Sequence, residues 1–348
     1  MSHQPAIPTA LIGFGYAGRV FHAPLITATN GLRLTVIGSS QRDSVKTAYP
    51  EADVLSDPLA AIRRDDIDLV VVATPNESHA TLAEAALRAG KHVVVDKPFT
   101  VTLAEALGLT AKAEQVGRVL SVFQNRRWDS DFLSISREIT GGRIGQVVEL
   151  RSEIGRYRPQ VRDRWRERDG PGSGLWYDLA PHLIDQALAL FGAPETVQAD
   201  LQIQRSGGTT VDWFQAVLGY GPRRVTLTSS MLAPDSPARF LVRGTGGSLL
   251  KRRGDVQEDQ LVSGMKPGAP GYGHDPDPLI FSAGDGASNE LTTPVGNYLE
   301  YYAAVRDAVR GEGDVPVTPA QATTVMAIIE AGLQSSTEAR VVELQRTA

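Results

Sequence analysis

Up to Gln124, short apolar runs alternate with segments of helical spacing. Ala10, Leu11 and Ile12 make a run that predicts a buried strand of the kind a parallel sheet requires. A helix is expected from about Arg19 to Thr29, and LRLTVIGSS, through Leu34, Val36 and Ile37, reads as a second strand. A short helix near Pro58 to Arg64 precedes IDLVVVATP, a β-branched run suited to a strand buried on both faces. Asn76 then reads as the N-cap of a helix that carries Ala80, Ala83 and Leu87 on one side and ends at Gly90. HVVVD gives a fourth strand, TLAEALGLTAKAEQVG a fourth helix and VLSVF a fifth strand. Such alternation predicts an α/β fold with a doubly wound parallel sheet.

Beyond Gln124 the pattern changes. EIGRYRP, VQADLQIQ, VDWFQAVLGY, RVTLTSS and ARFLVRG read as successive strands with few helices between them, which favours an α+β domain with a large, mostly antiparallel open sheet. The Gly, Pro and Asp-rich segment from Gly264 to Gly286 reads as a long surface loop. Helices near Val295 to Arg310 and Pro319 to Ser336, then a short strand near Val341, close the chain. At 348 residues the chain exceeds the usual size of one core, so two domains are expected, residues 1–124 and 125–348.

The first apolar run leads into Gly13, Gly15 and Gly18, a GxGxxG spacing between strand and helix. Gly13 allows the tight turn, Gly15 lets backbone approach a pyrophosphate, and Gly18 lets the helix sit close to the strand. The unpaired N–H groups and dipole of that helix would face the phosphates. A glycine turn without a ligand remains the alternative in a chain with 34 glycines. About 20 residues on, where a carboxylate would bind a ribose 2′-hydroxyl, stand Ser39, Ser40, Gln41 and Arg42. Small hydroxyls and an arginine suit a 2′-phosphate, so NADP is expected over NAD, with a surface Arg42 paired to Asp43 as the alternative.

Composition narrows the remaining classes. A net charge of −5 argues against nucleic acid or an anionic membrane as the main partner. No cysteine is present, which removes disulfides, thiolate metal sites and cysteine nucleophiles, and the six histidines fall in no metal-ligand spacing. The N-terminus lacks a basic region followed by a long apolar one, so a cytoplasmic protein is expected.

Three constellations carry candidate chemistry. Asp96, Lys97 and Pro98 follow the fourth strand, at the sheet edge where ligands bind, and a lysine there can hydrogen-bond a substrate oxygen or simply be an exposed loop residue. In GPGSGLWYDLAPHLIDQALALF, the stripe Leu183, Ile184, Ala187, Leu188 and Phe191 reads as core, with His182, Asp185, Gln186 and Ala189 opposite and able to line a cleft. Pro181 within a first turn would make Asp178 the N-cap; Asp178 and His182, four apart, can equally serve one site, or His182 can be an exposed helix-start histidine. In YRPQVRDRWRERDG, arginines crowd Trp165 with acids interleaved, either as a salt-bridged loop or as a loop crossing a cleft.

As a set, GFGYAGRVFHAP, ATPNESH, VDKPF and DLAPHLID resemble the Gfo/Idh/MocA family of NAD(P)-dependent oxidoreductases. FHAP, VVVDKPFTVT, NRRWDSDFL and RDRWRE resemble its NADP-dependent scyllo-inositol dehydrogenase-like branch, and the match runs to about Gly192. The resemblance implies a Rossmann domain, a second domain with a large open sheet, hydride transfer to or from a sugar, inositol or related polyol, and a sheet-mediated homodimer or homotetramer. The family's Glu-Lys-Pro motif falls on Asp96, Lys97 and Pro98, with aspartate replacing glutamate and a Lys-Pro bond that is typically cis. Its DxxxHxxD pattern falls on Asp178, His182 and Asp185, and its Trp-Arg pair near the nicotinamide on Trp165 and Arg166. By this resemblance Lys97, Asp178 and His182 are catalytic, and with Tyr157 they bind substrate. The cofactor would be held by Gly13, Phe14, Gly15, Tyr16, Ala17 and Gly18, by Ser39, Ser40 and Arg42, by Thr74, Pro75, Asn76 and His79, and by Asp96, Lys97, Trp165 and Arg166. Two other outcomes stay open: a glycosidase that uses bound cofactor without net redox, and a non-catalytic NADP(H)-sensing protein.

Overall fold

A computed structural model describes residues 4–235 and 238–344. Its described residues divide into two compact units: the first joins the stretch up to residue 125 with 257–272 and 297–323, and the second holds those within 126–256, 273–296 and from 324 on. The single cut expected after residue 124 therefore misses two later segments that return to the first unit.

The first unit contains a six-stranded parallel sheet of order β3-β2-β1-β4-β5-β6. In chain order its elements are β1 (Ile7–Ile12), a turn of π-helix at Gly18–His22 running into α1 (Ala23–Ala28), β2 (Leu32–Gly38), α2 (Arg42–Ala48) and β3 (Asp53–Leu55). Then come α3 (Pro58–Ile62), β4 (Leu69–Val72), α4 (His79–Arg88), β5 (His92–Val95), α5 (Leu103–Val116) and β6 (Leu120–Val122). The β-branched run of β4 is wholly buried, as a central parallel strand covered on both faces must be. α5 starts with a capping box, in which Thr102 accepts from the Glu105 N–H and Glu105 reaches back to the Thr102 N–H, and it ends on left-handed Gly117.

α2 and β3 have no counterpart in the sequence reading; β3 has only three residues, too few for a period to show. Asn76 does not cap α4: it opens a one-turn 3₁₀ segment, and α4 begins at His79.

The second unit carries a nine-stranded sheet of order β14-β13-β12-β11-β7-β10-β9-β8-β15, antiparallel except where β7 pairs with β10. It begins with α6 (Ser130–Thr140), β7 (Val147–Gly155) and α7 (Gly174–Phe191). β8 (Thr196–Gln202), β9 (Trp213–Tyr220), β10 (Arg223–Ser230), β11 (Phe240–Gly244) and β12 (Gly247–Lys251) follow. β13 (Leu279–Ala283), β14 (Ser288–Leu291) and β15 (Val342–Glu343) complete it. β10 alternates, burying Val225, Leu227 and Ser229 and leaving Thr226 and Thr228 half-buried.

α6 was not expected, and β13 lies inside the segment that read as surface loop. Pairing with β12 and β14 accounts for β13: its backbone is satisfied by neighbours even though its composition is poor in core residues. EIGRYRP overlaps β7 only at its first residues, since the strand ends at Gly155.

α7 differs most from its reading. It starts at Gly174 with Ser173 at the N-cap, so Asp178 lies inside the helix and Pro181 lies two turns in. Burial of Leu175, Trp176, Leu179, Leu183 and Ile184 outweighs the missing proline N–H. Trp176 packs edge-on against Phe214, donates its indole N–H to the Ile329 carbonyl at 3.1 Å, and sits where a Cβ on Gly332 would clash with its ring. Among the described residues no helix is long and apolar enough to cross a membrane.

Candidate active site

In the first unit the carboxyl ends of the strands collect the predicted residues. Gly13 has φ of +101°, and a Cβ there would stand 2.4 Å from the Ala73 carbonyl oxygen, so the turn is fixed against the end of β4. A Cβ on Gly18 would stand 2.2 Å from the Gly13 carbonyl oxygen, which accounts for glycine where the π-turn meets the strand. Gly15 differs: a Cβ there would meet no protein atom within 4 Å. Its small size answers to no neighbour in the chain, as fits a position that a pyrophosphate approaches.

Around this turn, Phe14 is buried edge-on against Tyr49 and its carbonyl accepts from Gln41 Nε2 at 3.3 Å. Tyr16 is exposed and donates its hydroxyl to Glu258 at 2.9 Å, while Ala17 is half-buried. At the end of β2, Ser39 accepts from the Gln41 N–H at 3.1 Å, Ser40 is exposed, and Arg42 is exposed with one N–H on the Val54 carbonyl at 3.2 Å. Asp43 is not its ion-pair partner.

The loops after β4 and β5 are tied together. Thr74 is half-buried, Pro75 exposed and Asn76 buried, and Ser78 donates to Thr74 Oγ1 at 2.7 Å. His79 is completely buried, with Nδ1 2.9 Å from the Pro98 carbonyl and Nε2 3.0 Å from the Thr74 carbonyl. The ring thus sits between the two loops, with a backbone carbonyl beside each nitrogen. Asp96 is buried too, and its Oδ1 accepts the Lys97 N–H at 2.8 Å; Lys97 itself is half-buried and its bond to Pro98 is cis. Burial alone would push the Asp96 carboxyl up, but His22, Lys97 and His79 hold it below the usual carboxylate range.

In the second unit, α7 carries Asp178 and, one turn on, His182. Asp178 is half-buried, with Arg156 Nη1 at 3.3 Å and Arg166 Nε at 3.6 Å. The Arg166 guanidinium lies 4.4 Å over the Trp165 ring, a cation–π pair that sets both side chains beside Asp178. Beneath them Glu167 is buried; burial pushes its carboxyl up, but the Arg162 N–H, Arg164 and Arg205 bring it below its ordinary value. Tyr157 is 61% exposed.

His182 is buried, not exposed at a helix start. The face of α7 opposite the apolar stripe does not line a cleft along its length. Asp185 is buried in a two-bond ion pair with Arg127, at 2.8 and 2.7 Å, and buried Gln186 accepts from Arg239 at 2.7 Å and donates to the Arg126 carbonyl at 2.9 Å. These contacts hold the helix at the level of His182. Arg127 and Arg156 had no local signal in the sequence, because each is defined by a carboxylate far along the chain. Among the described residues no cluster of three or more His, Asp or Glu could hold a metal.

Residues 7–124 match an oxidoreductase family with an NAD-binding Rossmann fold, and residues 137–344 match the C-terminal alpha/beta domain of the same family, named GFO_IDH_MocA. The chain is 49% identical over 333 residues to the uncharacterized oxidoreductase YdgJ of Escherichia coli, covering 95% of this chain and 96% of that protein. It is 36% identical over 345 residues to scyllo-inositol 2-dehydrogenase (NADP(+)) IolW of Bacillus subtilis, covering 97% and 96%. A crystal structure of a presumed oxidoreductase from Klebsiella pneumoniae superposes with a TM-score of 0.93 at 44% identity, covering 99% of this chain and 96% of that one.

Proposed function

Because the chain belongs to the Gfo/Idh/MocA family of NAD(P)-dependent oxidoreductases, we propose that it transfers a hydride between NADP(H) and a secondary alcohol or carbonyl of an inositol, sugar or related polyol. The observation that carries this reading is Lys97 at the carboxyl end of β5, its backbone fixed by Asp96, on the same sheet as a glycine turn in which Gly15 is left open to a ligand. Similarity to an NADP-dependent scyllo-inositol 2-dehydrogenase supports the substrate class, although an NAD-dependent scyllo-inositol 2-dehydrogenase is also a relative, at 27% identity over 202 residues.

Bound dinucleotide supplies the hydride acceptor or donor; the rest falls to side chains of this chain. Backbone N–H groups after Gly13 and Gly15 hold the pyrophosphate. Ser39, Ser40 and Arg42 hold the 2′-phosphate, Arg42 keeping free N–H groups beyond the one on Val54. The family resemblance assigns Trp165 and Arg166 to the nicotinamide end. Lys97 hydrogen-bonds and polarises the reacting oxygen, His182 takes the hydroxyl proton during oxidation, and Asp178, with Tyr157, fixes neighbouring hydroxyls. Joining of the open sheets of two or four chains completes the proposal.

The test is a panel of inositol isomers and aldoses with NADP and with NAD, read by the near-ultraviolet absorbance of reduced nicotinamide. Turnover of an inositol with a lower KM for NADP than for NAD is expected. A clear NAD preference would remove the roles of Ser40 and Arg42, and cofactor binding without turnover of any polyol would remove the substrate class.

A further inference from the structure

Behind Lys97, Asp96 belongs to a buried chain of side chains whose further members the proposed reaction has not used. His22 sits at the end of the π-turn, where the Ala23 N–H reaches back five residues to the Gly18 carbonyl. Its ring is completely buried against Phe123, with centroids 4.4 Å apart. Nδ1 lies 2.6 Å from the hydroxyl of Tyr302, itself completely buried on the helix Leu299–Arg310, and Nε2 lies 3.8 Å from Asp96 Oδ1. That same oxygen accepts the Lys97 N–H.

The protons follow from these neighbours. A bare Nε2 lone pair facing a carboxylate oxygen would be repelled, so Nε2 carries hydrogen. In the neutral ring Nδ1 then accepts from the Tyr302 hydroxyl; in the imidazolium it donates to that oxygen instead. Both forms aim an N–H at Asp96 across a low-dielectric interior; at 3.8 Å the attraction is charge–dipole for the neutral ring and charge–charge for the imidazolium, without a direct hydrogen bond. Tyr302 fixes the ring, the ring fixes the carboxylate, and the carboxylate fixes the backbone from which the Lys97 side chain departs.

We infer that Tyr302, His22 and Asp96 are positioning residues for Lys97, with His22 as the link that orients the Asp96 carboxylate. The inference rests on the role of Lys97 proposed above. None of the three touches substrate: each acts through the next, as an orienting carboxylate acts through a catalytic imidazole.

Two isosteres separate the links. Glutamine at position 22 can set an amide N–H where Nε2 stands, keeping the approach to Asp96; asparagine can reproduce only Nδ1, keeping Tyr302 and losing Asp96. With NADP and scyllo-inositol as probes, His22→Asn is expected to lower kcat by about tenfold or more, while KM for both stays within about twofold, since a small misplacement of a reacting group costs rate more than binding. His22→Gln is expected to restore most of the lost turnover. In the Lys97→Ala background, His22→Asn should cost almost nothing further.

Amide exchange gives a readout without turnover. The Lys97 N–H should exchange about tenfold faster in His22→Asn than in the wild-type protein, and close to the wild-type rate in His22→Gln. Equal losses from His22→Asn with and without Lys97, equal behaviour of the two isosteres, or unchanged Lys97 exchange would each overturn the inference. Wild-type turnover by Lys97→Ala would overturn it together with the role of Lys97. Failure of the His22 variants alone, with Lys97→Ala inactive, would leave that role standing. Should His22→Asn fail to fold, Tyr302→Phe, which removes only the hydroxyl, is expected to speed Lys97 exchange in the same direction, and no change in it would overturn the chain.

Discussion

Gly15 and Gly18 look alike in the glycine motif, yet different neighbours require them. A Cβ at Gly18 would meet the Gly13 backbone carbonyl, whereas one at Gly15 would meet nothing in the protein. Gly18→Ala is therefore expected to lower stability by about 1–3 kcal/mol, because backbone must move to admit the methyl group. Gly15→Ala should leave the melting temperature unchanged and weaken NADPH binding by about tenfold or more, read by fluorescence titration. A stability loss from Gly15→Ala equal to that from Gly18→Ala would contradict this division. That Gly18 must be glycine to sit close to the strand was legible from spacing alone. The backbone partners of His79 and Asp96 were not, since motif position says that a side chain lies near a loop but not which backbone groups it meets. His79 faces two carbonyls and Asp96 an N–H, and both groups belong to backbone that folding brings to them.

At the scale of elements, what the sequence made readable depended on length and on covering. β4 and β5 announce themselves as β-branched runs because central parallel strands are buried on both faces. β3, with three residues, and β13, held by its ladder rather than by a core, do not. α7 was readable as a helix but not at its start, because Pro181 suggested a first turn and burial of Leu175 and Trp176 extended the helix past it. The ion pair of Arg127 with Asp185 anchors this helix one turn beyond His182. Removing one partner leaves an uncompensated buried charge, so Arg127→Met is expected to cost about 3–5 kcal/mol. Arg127→Met combined with Asp185→Leu should recover much of that, as a thermal denaturation series would show; a double variant no more stable than the single one would argue against this reading of the pair.

At the scale of the whole molecule, acid sensitivity follows from buried and half-buried carboxylates held by cations. Burial pushes Glu138, Glu167 and Asp277 up, but Arg143 and Arg137 for the first, the Arg162 N–H and Arg164 for the second, and Lys251 for the third bring them below their ordinary values. A carboxylate whose folded value lies below its unfolded one contributes stability that is complete above the unfolded value and is lost as the pH falls through the folded value. The melting temperature is accordingly expected to be level from neutral pH down to about 5 and to fall below that, where the unfolded carboxyls begin to bind protons. Glu167→Gln should be less stable at neutral pH and show a shallower fall; an unchanged slope would mean that the arginines around Glu167 do not control it.

In the proposed reaction the chemistry rests on two groups, Lys97 and His182. The decisive measurement is the rate at which reduced nicotinamide forms from scyllo-inositol and NADP in the wild-type protein, in Lys97→Ala and in His182→Ala. Turnover by the wild-type protein is predicted, with each variant slower by about a hundredfold or more and with NADPH still bound by both. Near-wild-type turnover by either variant, or no turnover of any inositol or aldose by the wild-type protein with either cofactor, would contradict the account.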